Sequence, residues 1–287
     1  MATTFEGNLG RGTILIESGN LVWTDEDAGT ISWRAVDGGG SSAVVDSGAG
    51  AITITSHQGD LFWAHIDAGA MLSRLSPATS SAFDGGFTNV ASLRTITVGS
   101  TDTDRSRIFA MNTAGLITFS DIATNERGTI GDGGRALEVG TETGGKCACW
   151  ASGNQVNCYS DKLGQASLLD AGGAPTALAW GQSSLFRARL FVLFGTELRM
   201  FEDTGSHLYC SQITWGAATN VASNVSALAS DGRAAFYATG SIGYKVDSTM
   251  STGVPVGAFN GTCTSIAADR VTNTAFCRNV NGIVRFP

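Results

Sequence analysis

The feature that most constrains this chain is a repeat. Gly19-Asn20-Leu21-Val22-Trp23 is followed by a polar turn closing on Asp27-Ala28-Gly29 and then by a run carrying Arg34. Further along, Gly59-Asp60-Leu61-Phe62-Trp63 leads to Asp67-Ala68-Gly69 and then Arg74. The aligned aromatic recurs at Trp23, Trp63, Phe109, Trp150, Phe191, Phe236 and Phe276, in steps of 40, 46, 41, 41, 45 and 40 residues. Seven steps of 41 would span the whole chain of 287 residues. A unit of this size has apolar faces that it cannot bury alone, so it stacks on copies of itself.

Each unit divides into short apolar runs bounded by Gly, Asp, Asn and Ser, which is the punctuation of strands and tight turns. In the first unit these runs fall at about 13–17, 20–24, 30–35 and 43–46. The 38 glycines against 4 prolines point to many turns rather than to stiff linkers. Four short strands in about 40 residues is the size of a propeller blade. The sequence therefore predicts one all-β domain over 1–287. It is a seven-bladed β-propeller of four-stranded antiparallel blades, with six blades as the alternative count. The recurring aromatic, on the second strand, is expected to fill the layer between blades, where packed sheets lie ~10 Å apart. After Phe276 the chain holds one further strand, Gly282-Ile283-Val284-Arg285-Phe286-Pro287. The N-terminal run at about 3–8 is expected to supply the missing outer strand and close the ring, removing an exposed sheet edge.

At this point a family resemblance is visible. Leu21-Val22-Trp23-Thr24-Asp25-Glu26-Asp27-Ala28-Gly29-Thr30-Ile31-Ser32-Trp33-Arg34-Ala35-Val36-Asp37-Gly38 resembles the YWTD repeat of low-density-lipoprotein-receptor-type propellers, with its aromatic-Trp-Thr-Asp core and spaced Ile. The second unit keeps Phe62-Trp63 and has Ala64-His65 in place of Thr-Asp. The chain is also similar to bacterial secreted repeat proteins with degenerate units. The resemblance implies a propeller, usually of six blades in that family, and an extracellular, partner-binding role. It brings no catalytic residues with it.

Six cysteines allow complete pairing. A hairpin centred near Gly153-Asn154 sets Cys149 opposite Cys158, within the ~4.5–5.5 Å of cross-strand neighbours. Cys263 and Cys277 fall near-opposite on the first two strands of the last unit. Both pairs are expected to be bridged, leaving Cys147 and Cys210. The rival reading of Cys147-Ala148-Cys149 as half of a zinc site lacks the usual ligand spacing and a nearby histidine. Bridges imply a secreted, extracellular or periplasmic setting. The residues after Met1 lack a signal-peptide pattern, so a signal is presumed to have been removed.

Composition sets further bounds. The formal charge is −7, and only Lys146, Lys162 and Lys245 are lysines, so no basic stripe is available to neutralise phosphates. Nucleic acid is not expected as a partner, nor is a membrane span, since no apolar run approaches ~20 residues. Chemistry is sparse. His57 and His65 fall at opposite ends of one blade, in turns, and His207 lies before an outer strand. No Gly-x-Ser-x-Gly elbow or phosphate loop is present. The carboxylates of Asp25-Glu26-Asp27 and Asp102-Thr103-Asp104 read as solvated turns rather than a calcium loop. Among the innermost strands only Arg94 and Glu138 are charged, so the channel is expected to be small and apolar. No cofactor or metal is expected.

What varies from unit to unit is the turn after the second strand. Seven such turns would form one rim, with Asp25, Asp27, His65, Asp67, Asn112, Asn154 and Asn279 as candidate binding residues. A lectin with one sugar site per blade would repeat the same residues in each turn, and these differ, which favours one composite site. The expected role is an extracellular, non-catalytic binding module for a protein or carbohydrate partner. The alternatives are a hydrolase or lyase at the channel mouth, or a structural subunit of an extracellular assembly.

Overall fold

A computed structural model describes the chain except for residues 1–2, 8, 10–11, 47–50, 58, 66–71, 77–78, 84, 97–105, 141–146, 161–165, 206–212, 270–273 and 287. The first repeat folds as β2 (Ile14–Glu17), β3 (Asn20–Asp25), β4 (Thr30–Ala35) and β5 (Ala43–Asp46), paired in that order as an antiparallel meander. These limits fall within a residue of those read from the sequence. Among the described residues the strands form seven such four-stranded sheets. Their inner strands are β2, β6 (Ala51–His57), β10 (Val90–Ile96), β14 (Gly134–Gly140), β18 (Ala177–Gln182), β22 (Val225–Ser230) and β26 (Ser265–Asp269). Each packs against the next, and β26 packs against β2, so the blades form a closed ring.

Closure uses the N-terminus. β1 (Thr3–Gly7) pairs antiparallel with β28 (Gly282–Phe286), and the last sheet runs β1-β28-β27-β26, where β27 is Thr274–Asn279. Phe5 of this strand is buried edge-on against Phe276, with ring centroids 5.2 Å apart. The chain ends are thus tied to each other, and loss of one short strand would open the ring.

The second strands are β3, β7 (Asp60–His65), β11 (Arg107–Asn112), β15 (Cys147–Ser152), β19 (Ala188–Phe194), β23 (Ala235–Thr239) and β27. All seven aligned aromatics lie on them and all are buried. They do not all face the same way, however. Trp23 packs with Phe276 of the last blade. Trp63 packs with Val22 and Ile31 of the first, and its Nε1 donates to Asp46 there at 3.0 Å. Trp150 packs with Phe109 and Met111 of the third. The three tryptophans therefore face the preceding blade. Phe109, Phe191, Phe236 and Phe276 pack against the blade that follows. The forward-facing column is Val22, Phe62, Phe109, Cys149, Phe191, Phe236 and Phe276. Aligning the largest ring in each repeat shifts the register by one residue in three blades, and one residue turns a strand side chain to the opposite face.

The seams tolerate little extra volume. A Cβ at Gly140 would lie 2.4 Å from the Trp180 ring, so this inner-strand position requires glycine. At Gly12, φ is +153°, and a Cβ would strike the Thr24 carbonyl oxygen and the Arg278 guanidinium. Both disulfides expected from the sequence are present, with Sγ–Sγ distances of 2.05 Å for Cys149–Cys158 and 2.39 Å for Cys263–Cys277. Cys149 and Cys158 are directly opposed in the ladder. Cys263 differs from its expected position, because it precedes β26, and Ile266 is the residue opposite Cys277. Both bridges are buried in the apolar layer between blades. Cys147 is also disulfide-bonded, and Cys210 lies outside the described residues.

Candidate functional site

The turns between second and third strands sit beside the links that lead from each outer strand to the next inner one. Backbone hydrogen bonds join them: Thr113 N to Asn89 O, Ala171 N to Asn154 O, Val225 N to Thr196 O and Phe259 N to Ser241 O. One face of the ring is therefore built from these two sets of loops. The candidate binding residues divide on it. Asp25 is buried at the end of β3, and its Oδ1 accepts from Asp27 N and Ala28 N at 3.1 and 3.0 Å. Asn112 ends β11, with its Oδ1 accepting from Ala114 N and Leu116 N. Asn279 is buried at the end of β27, accepting from Asn281 N and donating to Asn260 O. These three close their own turns. Short polar side chains favour such turns because they can replace a backbone acceptor.

The exposed tips come one or more residues later, at Asp27, Thr113, Asn154, Thr196, Ser241 and Val280. Val280 is 81% exposed, an apolar side chain at the tip of a tight turn. His65 ends β7 opposite Ala51, and His57 ends β6 opposite Asp60, so both occupy strand ends rather than turns. The same register keeps them at opposite ends of the blade. Asp67 and His207 lie outside the described residues, as does the 102–104 carboxylate cluster.

The acidic turn of the first blade has a partner that the sequence did not reveal. Arg278 is 1% exposed at the ring-closing seam, and its Nη1 donates to the Thr24 carbonyl. Burial pushes its pKa below the ordinary value, while the carboxylates of Asp25, Glu26 and Asp27 work in the opposite direction. Asp25-Glu26-Asp27 is thus countercharge for a buried cation, and not merely a solvated turn. No local pattern could show this, since Arg278 is 254 residues from Thr24.

A cavity of about 500 Å³ lies between the inner strands. The expectation of an apolar channel is corrected here, because Thr13, Thr53, Thr55, Thr95, Ser226 and Ser230 all line it. The inner strands crowd near the ring axis and require small side chains. Hydroxyls fit there because they also tie neighbouring strands together. Thr53 Oγ1 accepts from Leu93 N at 3.3 Å, Thr55 and Thr95 hydroxyls meet at 3.1 Å, and Ser230 Oγ donates to Trp180 O. Arg94 and Glu138, the charged residues in the lining of this cavity, form an ion pair at 3.2 Å across adjacent blades. Glu138 also accepts from Val139 N, so the pair is internally satisfied and adds no net charge to the wall.

No family model matches the chain, and neither does any curated protein sequence. Solved structures resemble it in fold. The chain of BBS1N in its complex with ARL6DN superposes with a TM-score of 0.70 at 12% identity, over 99% of this chain and 95% of that one. The β-propeller domain of Cps50 (Swd1) from Myceliophteria thermophila gives 0.67 at 12% identity, over 100% and 99%. A streptogramin B lyase gives 0.60 at 12% identity, over 100% and 97%. At such identities the likeness shows the fold, a β-propeller, and nothing about the site.

Proposed function

We propose that this chain is an extracellular, non-catalytic binding propeller that presents its loop-built rim to a protein or carbohydrate partner. The observation that carries this reading is the division of labour in the rim turns. The residues that anchor each turn are consumed by internal hydrogen bonds, while the tips project different groups from blade to blade. A fixed frame with variable tips is the arrangement of a recognition surface. The BBS1N structure, a propeller in complex with a protein, supports the assignment by example. The two disulfide pairs support an oxidising setting.

The test is a triple variant, Asp27→Arg, Asn154→Arg and Val280→Arg, compared with the wild type on arrays of extracellular proteins and glycans. Loss of a wild-type ligand in the triple variant, with retention in Glu138→Gln, supports the rim. A ligand held equally by the triple variant and lost by Glu138→Gln moves the site into the channel and sinks the proposal. Intact mass with and without reductant tests the setting, since free thiols in the secreted protein would contradict it.

A further inference from the structure

The cavity between the inner strands has a volume of about 500 Å³, in the range of small-molecule sites. Arg94 on β10 and Glu138 on β14 are the charged residues of its lining. Elsewhere around the axis, neighbouring blades are tied by uncharged groups: Thr53 to Leu93, Thr55 to Thr95 and Ser230 to Trp180. Two charges in this wall therefore exceed what those seams use.

Both side chains keep accessible surface, 36% for Arg94 and 20% for Glu138. Arg94 Nε donates to Glu138 Oε2 at 3.2 Å, and Nη1 donates to Leu93 O at 2.8 Å and to Ser92 Oγ at 3.4 Å. Nη2 makes no hydrogen bond among the described residues, and it is not one of the buried polar atoms that lack a partner. It is thus a solvent-accessible donor on a side chain that three contacts hold in place. Glu138 receives one bond at each oxygen, Oε1 from Val139 N at 3.1 Å and Oε2 from Arg94. A carboxylate has about four acceptor sites, so Glu138 retains acceptor capacity.

The charges decide the class of ligand. Arg94 and Glu138 sum to zero, so a lone anion meets repulsion from Glu138 and a lone cation from Arg94. A molecule with a carboxylate beside an ammonium satisfies both, accepting from Arg94 Nη2 and donating to Glu138. A partly exposed ion pair is worth little by itself, so sharing its groups with such a ligand sacrifices little. The rest of the wall includes Ser226 and Thr264, both exposed, and half-buried Ile16 and Leu228.

We propose that this channel binds a free amino acid, with the α-carboxylate on Arg94 and the α-ammonium on Glu138. None of the rim tips Asp27, Asn154 and Val280 lines the cavity, so the site does not rest on the rim reading.

The experiment titrates the intact protein by calorimetry with L-alanine, L-leucine and L-serine. Each is run beside its analogue lacking the ammonium and its analogue lacking the carboxylate. At least one amino acid should saturate, with both its analogues bound at least about tenfold more weakly, the loss expected for one charge-assisted hydrogen bond. Arg94→Gln should weaken the amino acid by a similar factor and spare or tighten the amine analogue, because Glu138 then lacks its countercharge. Glu138→Gln should do the converse, sparing or tightening the carboxylate analogue. A purely structural role for the pair would lower all three ligands together. Val280→Arg should change nothing, and thermal unfolding of each variant confirms that the fold persists. The proposal is overturned if no amino acid saturates, if either analogue binds as tightly as its amino acid, or if each variant shifts all three ligands alike.

Discussion

The ring-closing strand gives the sharpest test of the fold. Phe5 is 7% exposed, packs edge-on against Phe276, and shares a cluster with Ile14 and Trp23 of the first blade. The Arg34 guanidinium lies 5.1 Å from its ring centroid. Phe5→Ala removes the ring from a site fixed on three sides and should cost about 3–5 kcal/mol, the usual range for a buried phenylalanine. The hydrogen bond from Arg34 Nη1 to the Phe5 carbonyl, 2.8 Å, belongs to the backbone and can persist, so the loss reports packing. Against a typical total of about 5–15 kcal/mol, the effect is large enough to read from the urea midpoint. Phe186→Ala is the control, since that ring is 68% exposed and its removal should stay within about 0.5 kcal/mol. A double-mutant cycle with Phe276→Leu should show about 0.5–1.5 kcal/mol of coupling from the aromatic pair. If Phe5→Ala costs under about 1 kcal/mol at unchanged m, the N-terminal strand does not hold the ring closed and the reasoning fails.

Three further outcomes follow from the seams. Gly140→Ala should lose about 1–3 kcal/mol in denaturant unfolding, because its Cβ would meet the Trp180 ring at 2.4 Å and force the inner strands apart. Replacing Cys149 and Cys158 together by alanine should cost about 2–4 kcal/mol, measured against the oxidised wild type, by freeing a hairpin whose ends are 9 residues apart. Alkaline pH should destabilise the fold through Tyr237, whose pKa is pushed up from 10.0 to about 12, chiefly by burial and then by neighbouring Tyr244. Between those values the unfolded phenol has lost a proton that the folded one keeps, so stability is full below 10.0 and falls as pH rises towards about 12. The difference amounts to about 2–3 kcal/mol, and Tyr237→Phe should flatten the decline in urea midpoint.

The blade plan was legible because period and patterning agree: strand limits in the first repeat, the borrowed N-terminal strand and the Cys149–Cys158 hairpin all follow from spacing. What spacing could not show is which way a ring points. Val22 and Trp23 are adjacent, and the tryptophan draws the eye, yet Val22 is the structural counterpart of Phe109 and Phe276. Only the packing partners across the seam distinguish the two columns. The channel was misjudged for a related reason. Threonine in an inner strand reads as a β-former, while its hydroxyl bridges to the neighbouring blade become visible only when the ring is closed.

The site was less legible than the frame, because repetition marks what every blade needs and hides what one blade does. Asp25, Asn112 and Asn279 recur at equivalent turns for the same structural reason, closure of a tight turn. The informative signals are the departures. The step from Phe191 to Phe236 is 45 residues rather than about 40, and the excess falls within the long link between β20 (Glu197–Glu202) and β21 (Thr219–Ala222) that carries Trp215. Five of the six tryptophans lie in strands; Trp215 lies in none and holds only an isolated bridge. This aromatic outside the repeat packs edge-on against Trp180 and onto the cluster between the fourth and fifth blades, so the insertion covers a seam. A departure from the period must therefore be checked against the seams before it is read as a recognition element, and Trp215 is a departure that the packing between blades accounts for.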